Sequence, residues 1–129
     1  MKIIGLGTDI VEIARIERVL DRYGDQFCDR VYTADELLLA GGKRGRLAFF
    51  AGRWAAKEAA AKALGCGIGG DCAFTDIGIV NDDAGRPVLN FSGAAARTAA
   101  AAGVREIRVS ISHEARYAVA TVILSGDEG

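Results

Sequence analysis

The sequence predicts an α+β protein in which helices pack on an antiparallel sheet. Helix-forming segments gather in the first half of the chain, and strands separated by short turns follow in the second half. This order favours an antiparallel sheet over a doubly wound parallel one. The chain has 129 residues, of which 50% are hydrophobic and 26% charged. These values suit one globular domain over 1–129 and exclude a disordered chain.

The first predicted elements are a strand and a helix. Residues 3–10 are apolar and interrupted by glycines, which predicts a buried strand. Asp9 and Glu12 have the spacing of a capping box, so a helix is predicted over about 11–23, ending at Gly24.

Two further helices are predicted before the middle of the chain. Thr33 and Glu36 have capping-box spacing and would begin a short helix that stops at Gly41. A longer helix-forming, alanine-rich segment covers 47–64 and is closed by Gly65.

The second half predicts two pairs of strands around one helix. Turn-forming residues at 81–85 and a tight segment at 113–116 separate the members of each pair. The predicted strands are 74–80, 87–91, 107–112 and 117–124, and an alanine-rich helix capped by Ser92 runs to 102.

Charge and hydropathy exclude several classes of function. A net charge of -1 argues against nucleic acid as the main partner, because no global positive field would attract phosphates. The apolar runs are far shorter than the roughly 20 residues that span a membrane, and the amino-terminal sequence does not resemble a signal peptide. A cytoplasmic protein is therefore predicted.

The three cysteines Cys28, Cys66 and Cys72 form neither an even set nor a CxxC pair. With one histidine in the chain, a structural zinc site is disfavoured. The cysteines are interpreted as reduced, small hydrophobic residues, and a catalytic thiol is the alternative.

The long helix carries a stripe of three side chains four residues apart, Trp54, Glu58 and Lys62. Alanines surround Glu58, so another element or a ligand can approach it closely. A buried carboxylate there would need Lys62 or a divalent cation as its partner. Spacing alone favours the simpler interpretation, an exposed Glu58–Lys62 pair.

Asp9 presents a similar choice. Gly5, Gly7 and Asp9 share one strand face, which leaves a track without side chains along which a ligand could approach the carboxylate. The alternative, favoured by spacing alone, is a helix N-cap paired with Glu12. Two carboxylates from different elements, together with phosphate oxygens, would make a magnesium site.

Basic residues precede and open the long helix. Lys43, Arg44, Arg46 and Arg53 could bind phosphate groups or form a solvated basic surface. His113 follows a predicted strand, where it has either a structural or a functional role.

Three separated motifs resemble one known family. The segments GLGTDIVE at 5–12, RWAAKEA at 53–59 with KALG at 62–65, and VSISH at 109–113 are similar to those of the holo-acyl-carrier-protein synthases. These are the small, stand-alone type of 4′-phosphopantetheinyl transferase. Their order is preserved over nearly the whole chain, and Trp54 stands where the family commonly has phenylalanine.

The resemblance implies the 4′-phosphopantetheinyl transferase fold and a reaction. The family transfers 4′-phosphopantetheine from coenzyme A to a serine of apo-acyl carrier protein and releases adenosine 3′,5′-bisphosphate. It implies that Asp9 and Glu58 ligate Mg²⁺ at the coenzyme A diphosphate. Glu58 would also orient or deprotonate the carrier serine, and Lys62 would stabilise the leaving bisphosphate.

The resemblance also implies binding residues and an assembly. Those expected to hold the 3′-phosphate of coenzyme A are Arg53, His113, Lys43 and Arg44. Arg15 and Arg22 would bind the acidic carrier protein. The family forms homotrimers with active sites between subunits. The competing hypothesis is a non-catalytic oligomeric domain that binds a nucleotide or a carrier protein.

Overall fold

A three-stranded antiparallel sheet lies on one long helix at the centre of the protein. The computed structural model describes residues 1–42 and 46–128. Strands β1 (Lys2–Glu12), β5 (Tyr117–Gly126) and β4 (Glu106–His113) pair in that order, and α4 (Leu47–Leu64) packs on β1 and β5. The predicted α+β class and antiparallel pairing are confirmed.

The remaining elements surround this centre. Strands β2 (Ile77–Asn81) and β3 (Pro87–Phe91) form a separate antiparallel hairpin. The other helices are α1 (Ile13–Tyr23), α2 (Asp25–Val31), α3 (Ala34–Ala40) and α5 (Gly93–Ala101). Within the described residues, no helix is both long and apolar enough to cross a lipid bilayer.

Strand β1 and helix α4 make backbone contact. A methyl group on Gly5 would lie 1.9 Å from the carbonyl oxygen of Ala63, and one on Gly7 would lie 1.9 Å from that of Ala59. The glycine track is therefore filled by α4. Our expectation that it admits a ligand was wrong, because small residues on both elements let the helix occupy that space.

The first helix begins later than the capping-box spacing predicts. Asp9 lies within β1, where it is opposite Ala120 of β5, and pairing continues to Glu12. Glu12 is the N-cap residue of α1 and makes no capping hydrogen bond with its side chain. The predicted Asp9–Glu12 box was wrong because pairing with β5 extends the strand through both positions.

Some of the other predicted helix and strand boundaries are confirmed, and others differ from the structure. The Thr33–Glu36 capping box is present, with both reciprocal hydrogen bonds, and α4 has the predicted bounds. Helix α2 was not predicted. Residues Phe74–Asp76 form a 3₁₀ turn before β2, and the Ser92 hydroxyl donates to the carbonyl oxygen of Asp76 instead of capping α5.

Candidate active site

A cluster that we call the carboxylate site joins β1 to the least buried face of α4. It comprises Asp9, Glu58 and Lys62. The Lys62 Nζ atom lies 2.8 Å from Asp9 Oδ1 and also donates to the carbonyl oxygen of Thr8 at 3.1 Å. Lys62 thus pairs with the neighbouring strand, and not with Glu58 as helical spacing alone had favoured.

The electrostatics of the two carboxylates indicate that they lie close together. Burial raises the pKa of Glu58, and the negative charge of Asp9 raises it further, whereas Lys62 and Arg15 oppose the change. The second oxygen of Asp9, Oδ2, is buried and has no hydrogen-bond partner among the described residues. The site therefore concentrates negative charge without fully compensating it.

This donor set fits a divalent cation. Two carboxylates from different elements supply the hard oxygen ligands that Mg²⁺ prefers, and the unpartnered Oδ2 of Asp9 offers an unused ligand atom. Over 1–42 and 46–128, no group of three or more His, Cys, Asp or Glu side chains gathers as a metal site. The remaining ligands would therefore be water or substrate oxygens, as is usual for Mg²⁺.

Helix α1 borders the carboxylate site. The Arg15 guanidinium lies 5.4 Å from the ring centroid of Trp54, and its charge lowers the pKa of Glu58. Arg22 is seven residues further, about two turns, so it shares this face of α1, and it lies over the ring of Tyr23 at 5.4 Å. The two arginines predicted to bind the carrier protein therefore form one basic face.

A second cluster, the arginine pocket, is a cavity of about 400 Å³. Its lining residues include Arg46, Phe49, Arg53, Asn81, Gly85 and His113. Arg53 is buried, its Nη2 donates to Asn81 Oδ1 at 3.0 Å, and its guanidinium lies 4.4 Å from the ring centroid of Phe49. The Nε atom of Arg53 has no partner among the described residues, so the pocket holds an incompletely satisfied cation.

The arginine pocket contains two of the four residues predicted to bind coenzyme A, Arg53 and His113. The other two, Lys43 and Arg44, lie outside the described residues. Asn81 was missed, because its sequence neighbours indicated only a turn. Its signal was the alternation along β2, which places residues 77, 79 and 81 on one strand face.

The two clusters occupy different faces of α4. Arg53 and Glu58 are five residues apart, which corresponds to about 140° around a helix. One protomer therefore presents the carboxylate site and the arginine pocket in different directions.

The cysteines divide into two environments. All three are free thiols, as predicted; Cys28 and Cys72 are buried, and Cys66 is exposed. Burial is the main cause that raises the pKa of Cys72 to about 12. That thiol stays protonated at neutral pH, which disfavours a catalytic thiol at this position.

Comparisons with known proteins identify the family of this chain. The model of the 4′-phosphopantetheinyl transferase superfamily matches residues 5–122. The holo-[acyl-carrier-protein] synthase of Photobacterium profundum is 45% identical over 124 residues, covering 96% of this chain and 98% of that protein. The corresponding synthase of Shewanella denitrificans is 51% identical, with the same coverage.

Solved structures are similar over almost the full length. The holo-[acyl-carrier-protein] synthase of Neisseria meningitidis superimposes with a TM-score of 0.87 at 37% identity, covering 95% of this chain and 98% of that one. The Helicobacter pylori synthase, in complex with coenzyme A, gives 0.84 at 34% identity, covering 93% and 99%. The chain therefore belongs to the holo-acyl-carrier-protein synthase family of the 4′-phosphopantetheinyl transferase superfamily.

Proposed function

We propose that this protein transfers 4′-phosphopantetheine from coenzyme A to a serine of apo-acyl carrier protein. The products are holo-acyl carrier protein and adenosine 3′,5′-bisphosphate. The observation that carries the proposal is the carboxylate site, in which the mutually repelling Asp9 and Glu58 lie beside Lys62. The complex of the related Helicobacter pylori synthase with coenzyme A supports the choice of donor.

Each residue of the carboxylate site has a role in this reaction. Asp9 and Glu58 would hold Mg²⁺, which when bound neutralises charge on the diphosphate of coenzyme A. Glu58 orients the carrier serine and accepts its proton as the serine oxygen bonds to phosphorus. The phosphoanhydride bond breaks, and Lys62 stabilises the negative charge of the departing bisphosphate.

The basic residues bind the two substrates. Arg53 and His113 would hold the 3′-phosphate of coenzyme A in the arginine pocket, and Lys43 and Arg44 would contribute further positive charge to its binding. Arg15 and Arg22 would bind the acidic surface of the carrier protein. A local basic face is sufficient for this role despite the net charge of -1.

We further propose a homotrimer in the cytoplasm, with active sites between subunits. Two features favour this assembly. The carboxylate site and the arginine pocket lie on different faces of α4, so a neighbouring copy would complete each site. The outer face of the sheet also exposes apolar side chains, which a second copy would cover: Ile3, Leu6, Ile10, Val119 and Ile123.

A mass measurement tests the transferase activity. The protein is incubated with coenzyme A, Mg²⁺ and apo-acyl carrier protein, with a chelated sample as control. We expect the carrier to gain the mass of phosphopantetheine only when Mg²⁺ is present. Binding of coenzyme A or carrier without any mass gain would favour the non-catalytic binding domain instead.

Substitution of the two carboxylates tests their assignment. Asp9→Asn and Glu58→Gln keep side-chain volume but weaken metal ligation, so each should lower the transfer rate about 100-fold or more while circular dichroism shows a folded protein. Near-normal turnover in either variant would contradict the proposed site.

A further inference from the structure

Helix α4 carries a buried ion pair on a face that the proposed reaction does not use. Lys57 of α4 and Glu36 of α3 both have a side-chain exposure of 0%, and Lys57 Nζ lies 2.7 Å from Glu36 Oε1. Buried charges are uncommon in proteins, because removing them from water is costly. This pair therefore needs a structural or functional explanation.

The hydrogen bonds of the pair are complete. Lys57 Nζ donates to the carbonyl oxygens of Phe74 at 3.0 Å and Ile77 at 2.5 Å, in addition to Glu36. Glu36 Oε1 also accepts from the backbone N–H of Thr33 at 2.8 Å. Because all three ammonium protons of Lys57 have acceptors and the side chain is inaccessible, Lys57 cannot contact a substrate phosphate.

The pair and Arg53 connect strand β2 to helices α3 and α4 at alternate residues. Lys57 holds the carbonyl of Ile77, Glu36 Oε2 accepts from the N–H of Ile79 at 2.9 Å, and Arg53 holds the side chain of Asn81. Residues 77, 79 and 81 are alternate positions of β2, so their backbone groups point to the same edge of the strand. The ion pair thus contacts β2 at two of these three positions.

The end of β2 forms a wall of the arginine pocket. Asn81, Gly85 and Pro87 line that pocket opposite Arg53 and Gly52 of α4. A change in the position of β2 relative to α4 would move Asn81 away from the Arg53 guanidinium and alter the width of the pocket.

We infer that Glu36 and Lys57 are positioning residues for the arginine pocket, which hold β2 against α4 so that Asn81 orients Arg53. This inference rests on the proposed function, in which the pocket binds the nucleotide of coenzyme A. Stability alone does not require the pair, because hydrophobic residues of similar volume often replace a buried ion pair without loss.

The test uses the double variant Glu36→Leu/Lys57→Met, which removes both charges and preserves volume. Steady-state kinetics and thermal unfolding are measured. We expect a folded protein whose KM for coenzyme A rises about tenfold, since small displacements of binding groups are costly. The KM for the carrier protein should stay within about twofold.

Two further variants separate positioning from stability. Val122→Ala reduces stability at a buried position of β5 that pairs with Gly7 of β1 and Val109 of β4, and should leave the KM for coenzyme A unchanged. Glu36→Gln keeps the side-chain shape but leaves Lys57 buried without its counter-charge, and should also raise this KM selectively. It also provides the test if the double variant does not fold.

Several outcomes would overturn the inference. A folded double variant with the wild-type KM for coenzyme A would show that the pair is only structural. Equal rises in the KM values for coenzyme A and for the carrier would show the same. So would a selective rise in the KM for coenzyme A in Val122→Ala. Calorimetry with coenzyme A alone separates the two hypotheses. A wild-type protein that binds no coenzyme A would refute the proposed function. If the wild type binds coenzyme A and the variants bind it with the same affinity, the positioning role is refuted.

Discussion

At the scale of single residues, the carboxylate site is arranged for function at a cost in stability. Glu58 is half-buried, close to Asp9, and lacks a full counter-charge of its own, since Lys62 pairs with Asp9. Ionised Glu58 is therefore less favourable in the folded chain than in the unfolded one. The same repulsion would be relieved by a bound divalent cation.

Burial of the Glu58 carboxylate, together with its repulsion by Asp9, predicts that Glu58→Gln raises the melting temperature at pH 7 in the absence of metal. The folded pKa of Glu58 lies above its ordinary value of 4.5, so the folded state binds the proton more tightly and ionisation lowers stability as pH rises through that window. The difference between variant and wild type should vanish below about pH 4.5. Calorimetry at pH 7 and pH 4 measures it, with the exposed Glu17→Gln as control. A lower melting temperature at pH 7 would contradict the sign.

The basic face of α1 predicts a selective effect on the carrier protein. Arg22→Glu should raise the KM for the carrier about tenfold at low salt and leave that for coenzyme A unchanged, because it repels an acidic surface. Arg22 is a cleaner test than Arg15, which also contacts Trp54 and influences Glu58. The effect should shrink at high salt. The control is Arg97→Glu on α5. An equal rise in the KM for the carrier in that variant would contradict a specific role for the basic face of α1.

At the scale of elements, close packing of β1 on α4 brings Asp9 within hydrogen-bond distance of Lys62. A methyl group on Gly7 would lie 1.9 Å from the carbonyl oxygen of Ala59, so Gly7→Ala must separate strand and helix. We expect a loss of about 3 kcal/mol in the free energy of unfolding. Gly78→Ala in β2, which meets nothing within 4 Å, is the matched control. Chemical denaturation measures both, and equal stabilities would contradict the close packing.

Local signals predicted the bounds of α4 but neither the end of β1 nor helix α2. The bounds of α4 followed from its alanine-rich composition and from Gly65, which adopts a φ of 81° at the C-cap. The end of β1 could not be predicted in this way, because Asp9 pairs with Ala120 of β5, which is distant in sequence. A capping-box spacing contains no information about such a partner.

The parts of the candidate site that lie within a single sequence motif could be predicted from the sequence. Glu58 and Lys62 share a helix face, and Asp9 lies in a recognisable segment. Asn81 and the second role of Glu36 could not be predicted, because both depend on how β2 packs against α3 and α4. The Thr33–Glu36 capping box was predicted correctly. Because that local role already explained Glu36, nothing in the sequence indicated its ion pair with Lys57.

At the scale of the whole molecule, the exposed apolar face of the sheet predicts which substitutions disrupt the proposed trimer. Val119 is 37% exposed on β5, beside Ile10 of β1. Val119→Arg should convert the proposed trimer into monomers, since a charge would be buried between copies. Val88→Arg on β3, where the valine is 38% exposed, is the matched control and should leave the mass unchanged. Light scattering measures the mass, and an unaltered oligomer in Val119→Arg would exclude this face as the interface.

The opposed directions of Arg53 and Glu58 around α4 have a genetic consequence. In the proposed trimer, each polypeptide contributes its acids to one reaction centre and its guanidinium to the next. A copy altered at one of these residues would impair only one of the two centres that it serves. An Arg53 variant and a Glu58 variant, each inactive alone, should therefore restore activity to one another when co-expressed in mixed trimers.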